Sequence, residues 1–170
     1  ARFGSTRLPG KLLLDLGGRP IIAHVVAAAQ RSELIDEVLV ATDHDAIAQA
    51  AQAAGADVVM TDPALPSGSD RIGAALAGRT YELALNIQGD EPEIDPAALD
   101  ALVRAMRQSP SAELGTLSAP LAPGELSDPN AVKVVCDLQG FAMYFSRAAL
   151  GADRDEVLGG ADEPSSAARR

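Results

Sequence analysis

Between Arg19 and Gln108 the sequence alternates continuous short apolar runs with longer segments whose apolar residues recur at helical spacing, and that alternation constrains the fold more than any other feature. Ile21, Ile22, Val25, Val26 and Ala29 line one face of a helix predicted over 19–31, with Pro20 at a favoured first helical position. The run Val38-Leu39-Val40-Ala41, within 37–42, suits a strand covered on both faces. A helix is predicted to begin at Thr42 or Asp43, run through about Ala54 and end at Gly55, a residue that tolerates positive φ. Val58 to Met60 reads as a strand, 70–77 as a helix, Leu83 to Ile87 as a strand, and Pro96 to Gln108 as a helix burying Leu99, Leu102, Val103 and Met106.

Strands alternating with helices predict an α/β domain with a mostly parallel, three-layer α/β/α sheet. The rhythm then changes. Leu114 to Ala119, Ala131 to Cys136 and Phe141 to Phe145 are strand-like with no helix between them, which predicts a mixed or antiparallel portion of sheet. The expected domain spans 1–150; the aperiodic Gly/Ala/Ser/Asp-rich tail, 151–170, is expected to be poorly ordered. Doubly wound folds place their first phosphate-binding loop after a first strand, whereas here loop-like sequence starts at Ala1, so the first strand is expected to be missing and the chain to start inside the domain.

The 170 residues, 47% apolar and 22% charged, suffice for one domain with its own core. No apolar run approaches the roughly 20 residues of a membrane-spanning helix, and no basic-then-apolar leader is visible. A formal net charge of −10 argues against nucleic acid or an anionic membrane as partner, so an anionic ligand needs a local positive patch. The single cysteine, Cys136, fits a reducing compartment, and its apolar neighbours suggest a buried small hydrophobe.

Three segments carry chemistry. Residues 1–11, A-R-F-G-S-T-R-L-P-G-K, hold Arg2, Arg7 and Lys11 and no acid, in a turn-rich setting whose backbone amides and cations suit phosphate. Walker A is disfavoured, because the glycine spacing is one residue too long and Leu12 stands where a magnesium-binding hydroxyl belongs. A solvated basic terminus is the alternative, and charge alone weighs the two evenly. In N-I-Q-G-D-E-P, 86–92, Asp90 sits past a strand's carboxyl end, where open α/β sheets bind ligands and where a carboxylate suits Mg²⁺; an acidic turn is the alternative. In S-G-S-D-R, 67–71, Ser69 suits a helix cap and Arg71 either a ligand contact or a solvent-facing position. His24 reads as structural, and His44, beside Asp43, as a cleft residue.

Together with V-A-T-D-H at 40–44, D-P-N-A-V-K-V-V at 128–135 and Y-F-S-R at 144–147, these strings resemble the 3-deoxy-manno-octulosonate cytidylyltransferases, or CMP-KDO synthetases, in the family's order and over nearly everything up to Arg147. The resemblance implies a fold of nucleotide-diphospho-sugar transferase type and cytidylyl transfer from CTP to an acidic eight-carbon sugar for lipopolysaccharide assembly. It implies Arg2, Ser5, Arg7 and Lys11 at the triphosphate, Ser67, Gly68, Ser69 and Arg71 around the cytosine end, Gln88 and Arg147 at the sugar, and Mg²⁺ on Asp90, with Arg2, Lys11 and Asp90 as the catalytic set. A cytoplasmic homodimer, when full length, completes the expectation. The departures are after Arg147, where 151–155 keeps the charged half of the family's Pro-Trp-Asp-Arg-Asp stretch and loses its proline and tryptophan. A transferase for another acidic sugar, such as a sialic acid, and a catalytically incomplete CTP-binding module are the rival readings.

Overall fold

A computed structural model describes residues 1–4, 8–122 and 124–151. The backbone divides into two compact units, Ala1–Thr116 and Leu117–Arg170. The tail expected over 152–170 lies outside the described residues.

The first unit opens with the segment 1–4 and a 3-10 turn, Lys11–Leu13, which drives Leu12 into the core. Strands β1 (Asp15–Leu16) and β2 (Arg19–Pro20) form an antiparallel hairpin. Its turn residues, Gly17 and Gly18, have φ of 61° and 88°, a conformation in which a Cβ would be strained. Pro20 belongs to this hairpin, so helix α1 (Ile21–Ala29) starts two residues later than its periodicity suggests. The expected apolar face is intact, with Ile22, Val25, Val26 and Ala29 all buried.

Strand β3 (Leu39–Thr42), helix α2 (Asp45–Ala53) and strand β4 (Asp57–Met60) make a parallel βαβ unit, with Leu39 opposite Asp57 and Thr42 opposite Met60. Helix α2 starts later than predicted because Thr42 completes the strand and His44 is the cap, its Nδ1 accepting from the Ala46 amide at 3.2 Å. Gly55 follows the helix at φ 89°, as its placement predicted. Leu12, Ile22, Val26, Val40, Ile47, Ala51 and Ala56 pack as one core cluster.

Helix α3 (Gly68–Leu76) begins one turn's fraction before Asp70, since Ser67, not Ser69, is its cap: the Ser67 hydroxyl accepts from the Asp70 amide at 3.1 Å and donates to the Asp70 carboxylate. Helix α4 keeps its predicted bounds, Pro96–Gln108, capped by Asp95. Its buried Asp100 accepts from the Ser32 hydroxyl and from the amides of Glu33 (3.2 Å) and Leu34 (3.1 Å), tying the α1–β3 connection to α4. These bonds, the Ser32 hydroxyl foremost, hold the Asp100 carboxyl below its ordinary pKa.

Two predicted strands form no ladder among the described residues. Leu83–Ile87 nevertheless alternates, with Leu83, Leu85 and Ile87 half-buried and Ala84 and Asn86 exposed. No strand is formed over 114–119 among the described residues, and Leu114 is almost fully exposed.

In the second unit, β5 (Lys133–Cys136) and β6 (Ala142–Ser146) pair antiparallel, as the change of rhythm predicted, with an irregularity between Val135 and Cys136. Lys133 is buried, and its ammonium donates to the carbonyls of Asp128 (2.7 Å), Ala131 (2.9 Å) and Arg147 (2.7 Å), matching its three N–H donors. Cys136 is exposed, contrary to the buried position suggested by its neighbours, because a two-stranded ribbon leaves a face without a second layer.

Ile47 has no accessible surface and belongs to the core cluster. Ile47→Ala should therefore cost about 2–5 kcal/mol of unfolding free energy in urea; an unchanged midpoint would remove Ile47 from the stabilising core.

Candidate functional site

Residues of the first segment are held against the carboxyl end of β3. The Ala1 nitrogen donates to the Ala41 carbonyl at 2.7 Å, the Phe3 amide reaches the Asp43 carboxylate at 3.4 Å, and the Phe3 ring stacks on His44 with centroids 4.0 Å apart. The Phe3 carbonyl in turn accepts from the Gly10 amide at 3.0 Å. Gly10 has φ 70°, and a Cβ there would lie 3.2 Å from the Phe3 ring, so glycine is demanded by both conformation and space. This clasp delivers Lys11 to a defined place.

That place is Asp90. Lys11 Nζ pairs with Asp90 Oδ2, joining the basic segment to the acid 79 residues away. Gly89 lets the turn pass over the core: a Cβ would stand 3.3 Å from Ile22 Cδ1 and 3.5 Å from Leu12 Cδ1. Lys11, through its hydrogen bond, holds the Asp90 carboxyl below its ordinary pKa.

Arg71 is buried, whereas a surface helix position was one of its two expected fates. Its guanidinium pairs with Asp43 Oδ2 at 2.8 Å and donates to Thr61 Oγ1, while the Thr61 hydroxyl donates to the Thr42 carbonyl at 3.1 Å. Its Nε–H is buried without a partner among the described residues. Asp43 thus receives both Arg71 and the Phe3 amide. Reading the sequence singled out His44 and passed over Asp43 and Phe3; the T-D-H string at the strand end was the available signal.

A cavity of about 580 Å³ in this unit is lined at its polar end by Arg2, Lys11, Arg71, Gln88 and Asp90. Gln88 and Asp90 follow the strand-like Leu83–Ile87, and Arg71 pairs with Asp43 past the carboxyl end of β3, where open α/β sheets bind ligands. Arg2 donates to the Leu65 carbonyl at 2.9 Å, and Gln88 to Asn86 Oδ1 at 3.2 Å. With Arg71 and Lys11 facing Asp43 and Asp90, Arg2 supplies the positive excess that an anion requires in this acidic chain. Gly68 lines the cavity, and Ser69 is exposed in the first turn of α3. Arg147, in the second unit, donates to the Pro129 carbonyl at 3.0 Å. Ser5 and Arg7 lie outside the described residues.

Among the described residues no three His, Cys, Asp or Glu side chains gather as a metal cage. Asp90, part-exposed at the cavity and paired with Lys11, is a carboxylate of the kind that holds a divalent cation together with ligand phosphates and water. No helix of the described residues is long and apolar enough to cross a membrane.

A family model described as cytidylyltransferase matches residues 1–159. A 3-deoxy-manno-octulosonate cytidylyltransferase of Bdellovibrio bacteriovorus is 48% identical over 147 residues, covering 86% of this chain and 60% of that protein. One of Anaeromyxobacter dehalogenans is 50% identical over 151 residues, covering 87% and 61%. A solved structure of a CMP:2-keto-3-deoxy-manno-octonic acid synthetase complexed with CTP is 39% identical and superposes with a TM-score of 0.87, covering 92% of this chain and 65% of that one. The chain spans about three fifths of the length of the curated relatives it matches. The structural likeness agrees with the α/β nucleotidyltransferase architecture expected from the alternation of elements.

Removing Asp43 strands the Arg71 charge, so Asp43→Ala should destabilise the fold by about 3–5 kcal/mol, and adding Arg71→Met should recover part of that loss; additive losses in the double-mutant cycle would refute the coupling. Lowered by Lys11, the Asp90 carboxyl adds stability above the ordinary carboxylate range that disappears as pH falls through its depressed pKa. A carboxyl-carbon NMR titration should accordingly show Asp90 titrating lower than exposed aspartates, and Lys11→Ala should raise its midpoint; an unmoved midpoint counts against the pairing.

Proposed function

This chain belongs to the cytidylyltransferase family, and from that premise we propose that it forms the nucleotide-handling part of an enzyme transferring the cytidylyl group of CTP to 3-deoxy-D-manno-octulosonate. The products are CMP-KDO, for lipopolysaccharide assembly, and pyrophosphate. The observation that carries this reading is the meeting of Lys11 with Asp90 at a cavity that Arg2 and Arg71 also line. The names of the relatives, and the CTP in the solved neighbour, support the choice of nucleotide and sugar.

In the proposed reaction the anomeric hydroxyl oxygen attacks the α-phosphorus, the bond from that phosphorus to the bridging oxygen breaks, and pyrophosphate leaves with the electron pair while the hydroxyl proton passes to solvent. Such chemistry asks the protein mainly for positioning and charge neutralisation. Arg2, Ser5, Arg7 and Lys11 hold the triphosphate. Ser67, Gly68, Ser69 and Arg71, whose Nε–H has no partner among the described residues, surround the cytosine end, and Gln88 and Arg147 bind the sugar. Asp90 holds Mg²⁺, which when bound neutralises phosphate charge and lowers the pKa of a coordinated hydroxyl. A cytoplasmic homodimer is the proposed whole-protein setting.

Calorimetry with CTP and Mg²⁺ should detect binding, and Lys11→Ala should weaken it by about 1.5–3 kcal/mol, roughly 10- to 150-fold. Asp90→Asn should remove the magnesium dependence. The whole enzyme should release pyrophosphate with the octulosonate and not with sialic acid. Failure to bind CTP would sink the nucleotide reading, turnover of sialic acid alone would reassign the sugar, and CTP binding without pyrophosphate release from the whole enzyme would leave a binding module.

A further inference from the structure

The string D-P-N-A-V-K-V-V at 128–135 supplies no group to the reaction proposed above, yet it contains a cation withdrawn from water. Lys133 is 5% exposed and stands opposite Ser146 in the β5–β6 ladder. A lysine ordinarily extends its ammonium into solvent, and burying that charge costs free energy that an apolar side chain of similar volume would not. What the ammonium meets instead is three carbonyls, those of Asp128, Ala131 and Arg147. The first two bracket the turn at 128–131, and the third belongs to the residue that leaves β6. Arg147 reaches back to the same turn, its exposed guanidinium donating through Nη1 to the Pro129 carbonyl at 3.0 Å. Arg147 is thereby held twice, its main chain by Lys133 and its side chain by the turn that Lys133 gathers.

Neither cation faces a carboxylate among the described residues. The acid of the turn, Asp128, instead accepts from the main-chain amide of Asn130 (2.8 Å) and from its side-chain amide (3.0 Å). Two positive charges without counter-ions, in a chain of formal net charge −10, make a place for an anion. With Nη1 turned to Pro129, the Nε and Nη2 donors form the edge left for a planar, bidentate carboxylate.

We infer that Lys133 is a positioning residue for Arg147: by joining the turn at 128–131 to the end of β6, its ammonium sets the angle at which Arg147 meets the carboxylate of the acidic sugar, without touching that sugar itself. This rests on the reading of Arg147 as a sugar contact and adds the residue that fixes its geometry. Lysine suits the task because three N–H donors on one flexible stem satisfy three carbonyls from separate segments. Without them the turn and Arg147 are free to part.

Steady-state pyrophosphate release by the whole enzyme tests this. Lys133→Met keeps the length of the side chain and removes all three donors; the KM for the acidic sugar should rise about tenfold, while kcat and the KM for CTP stay within about twofold. In an Arg147→Ala background, where the sugar KM is already raised, Lys133→Met should add less than about twofold. A fully additive rise in the double variant would overturn the coupling. So would an unchanged sugar KM in Lys133→Met, or an equal loss for sugar and CTP, which would make the lysine a structural residue only. Amide exchange over Lys133–Cys136 and Ala142–Ser146 reports on the ribbon independently. If Lys133→Met melts the ribbon, Lys133→Gln, which keeps two donors without the charge, carries the same expectation; melting in both again makes the residue structural and overturns the role. Should Arg147→Ala leave the sugar KM untouched, the reading of Arg147 fails and the positioning role falls with it, whereas a raised KM there beside a normal one in Lys133→Met refutes the positioning role alone.

Discussion

The carboxylate of Asp43 is the point on which the site is built. One oxygen takes the buried Arg71 guanidinium and the other takes the Phe3 amide, so a single side chain past the end of β3 fixes helix α3 and the first segment together. A buried arginine cannot shed its charge and needs a counter-ion, and the counter-ion it finds also orders the loop. Phe3 then closes on Gly10, and Gly10 hands the chain to Lys11. The meeting of Lys11 with Asp90 is thus the last step of a relay that begins inside the protein.

That relay explains how a strongly acidic chain presents a basic surface where an anion is wanted. Lys11 and Arg71 each face a carboxylate, while Arg2 spends its hydrogen bond on a carbonyl and keeps its positive charge. The arrangement places charge at the carboxyl ends of the strands and apolar walls behind it.

Much of this was legible in residue order. The period-3.6 stripes located α1 and α4, Gly55 marked the end of α2, and the strings around Lys11 and Asp90 stood out because the first holds three cations and no acid and the second carries a carboxylate past a strand-like run. Element starts were less legible. Ser67 rather than Ser69 caps α3, and Pro20 joins a hairpin instead of a helix, because each choice depends on hydrogen bonds to residues that local spacing does not reveal. Cys136 was misread for a related reason: an apolar neighbourhood in sequence buries a side chain only if something packs over it.

The amino-acid order by itself determined the α/β alternation, the identity of the charged groups and the family likeness, since these rest on periodicity and on short strings. The tertiary structure alone decided that Arg71 is buried, that Asp43 and Phe3 support the basic segment, and that Leu83–Ile87 alternates in exposure with no ladder among the described residues. Periodicity records which face of an element avoids water, a local property. Which charge meets which, and which strand edge finds a partner, depends on distances between residues far apart in the chain, and only folding sets those.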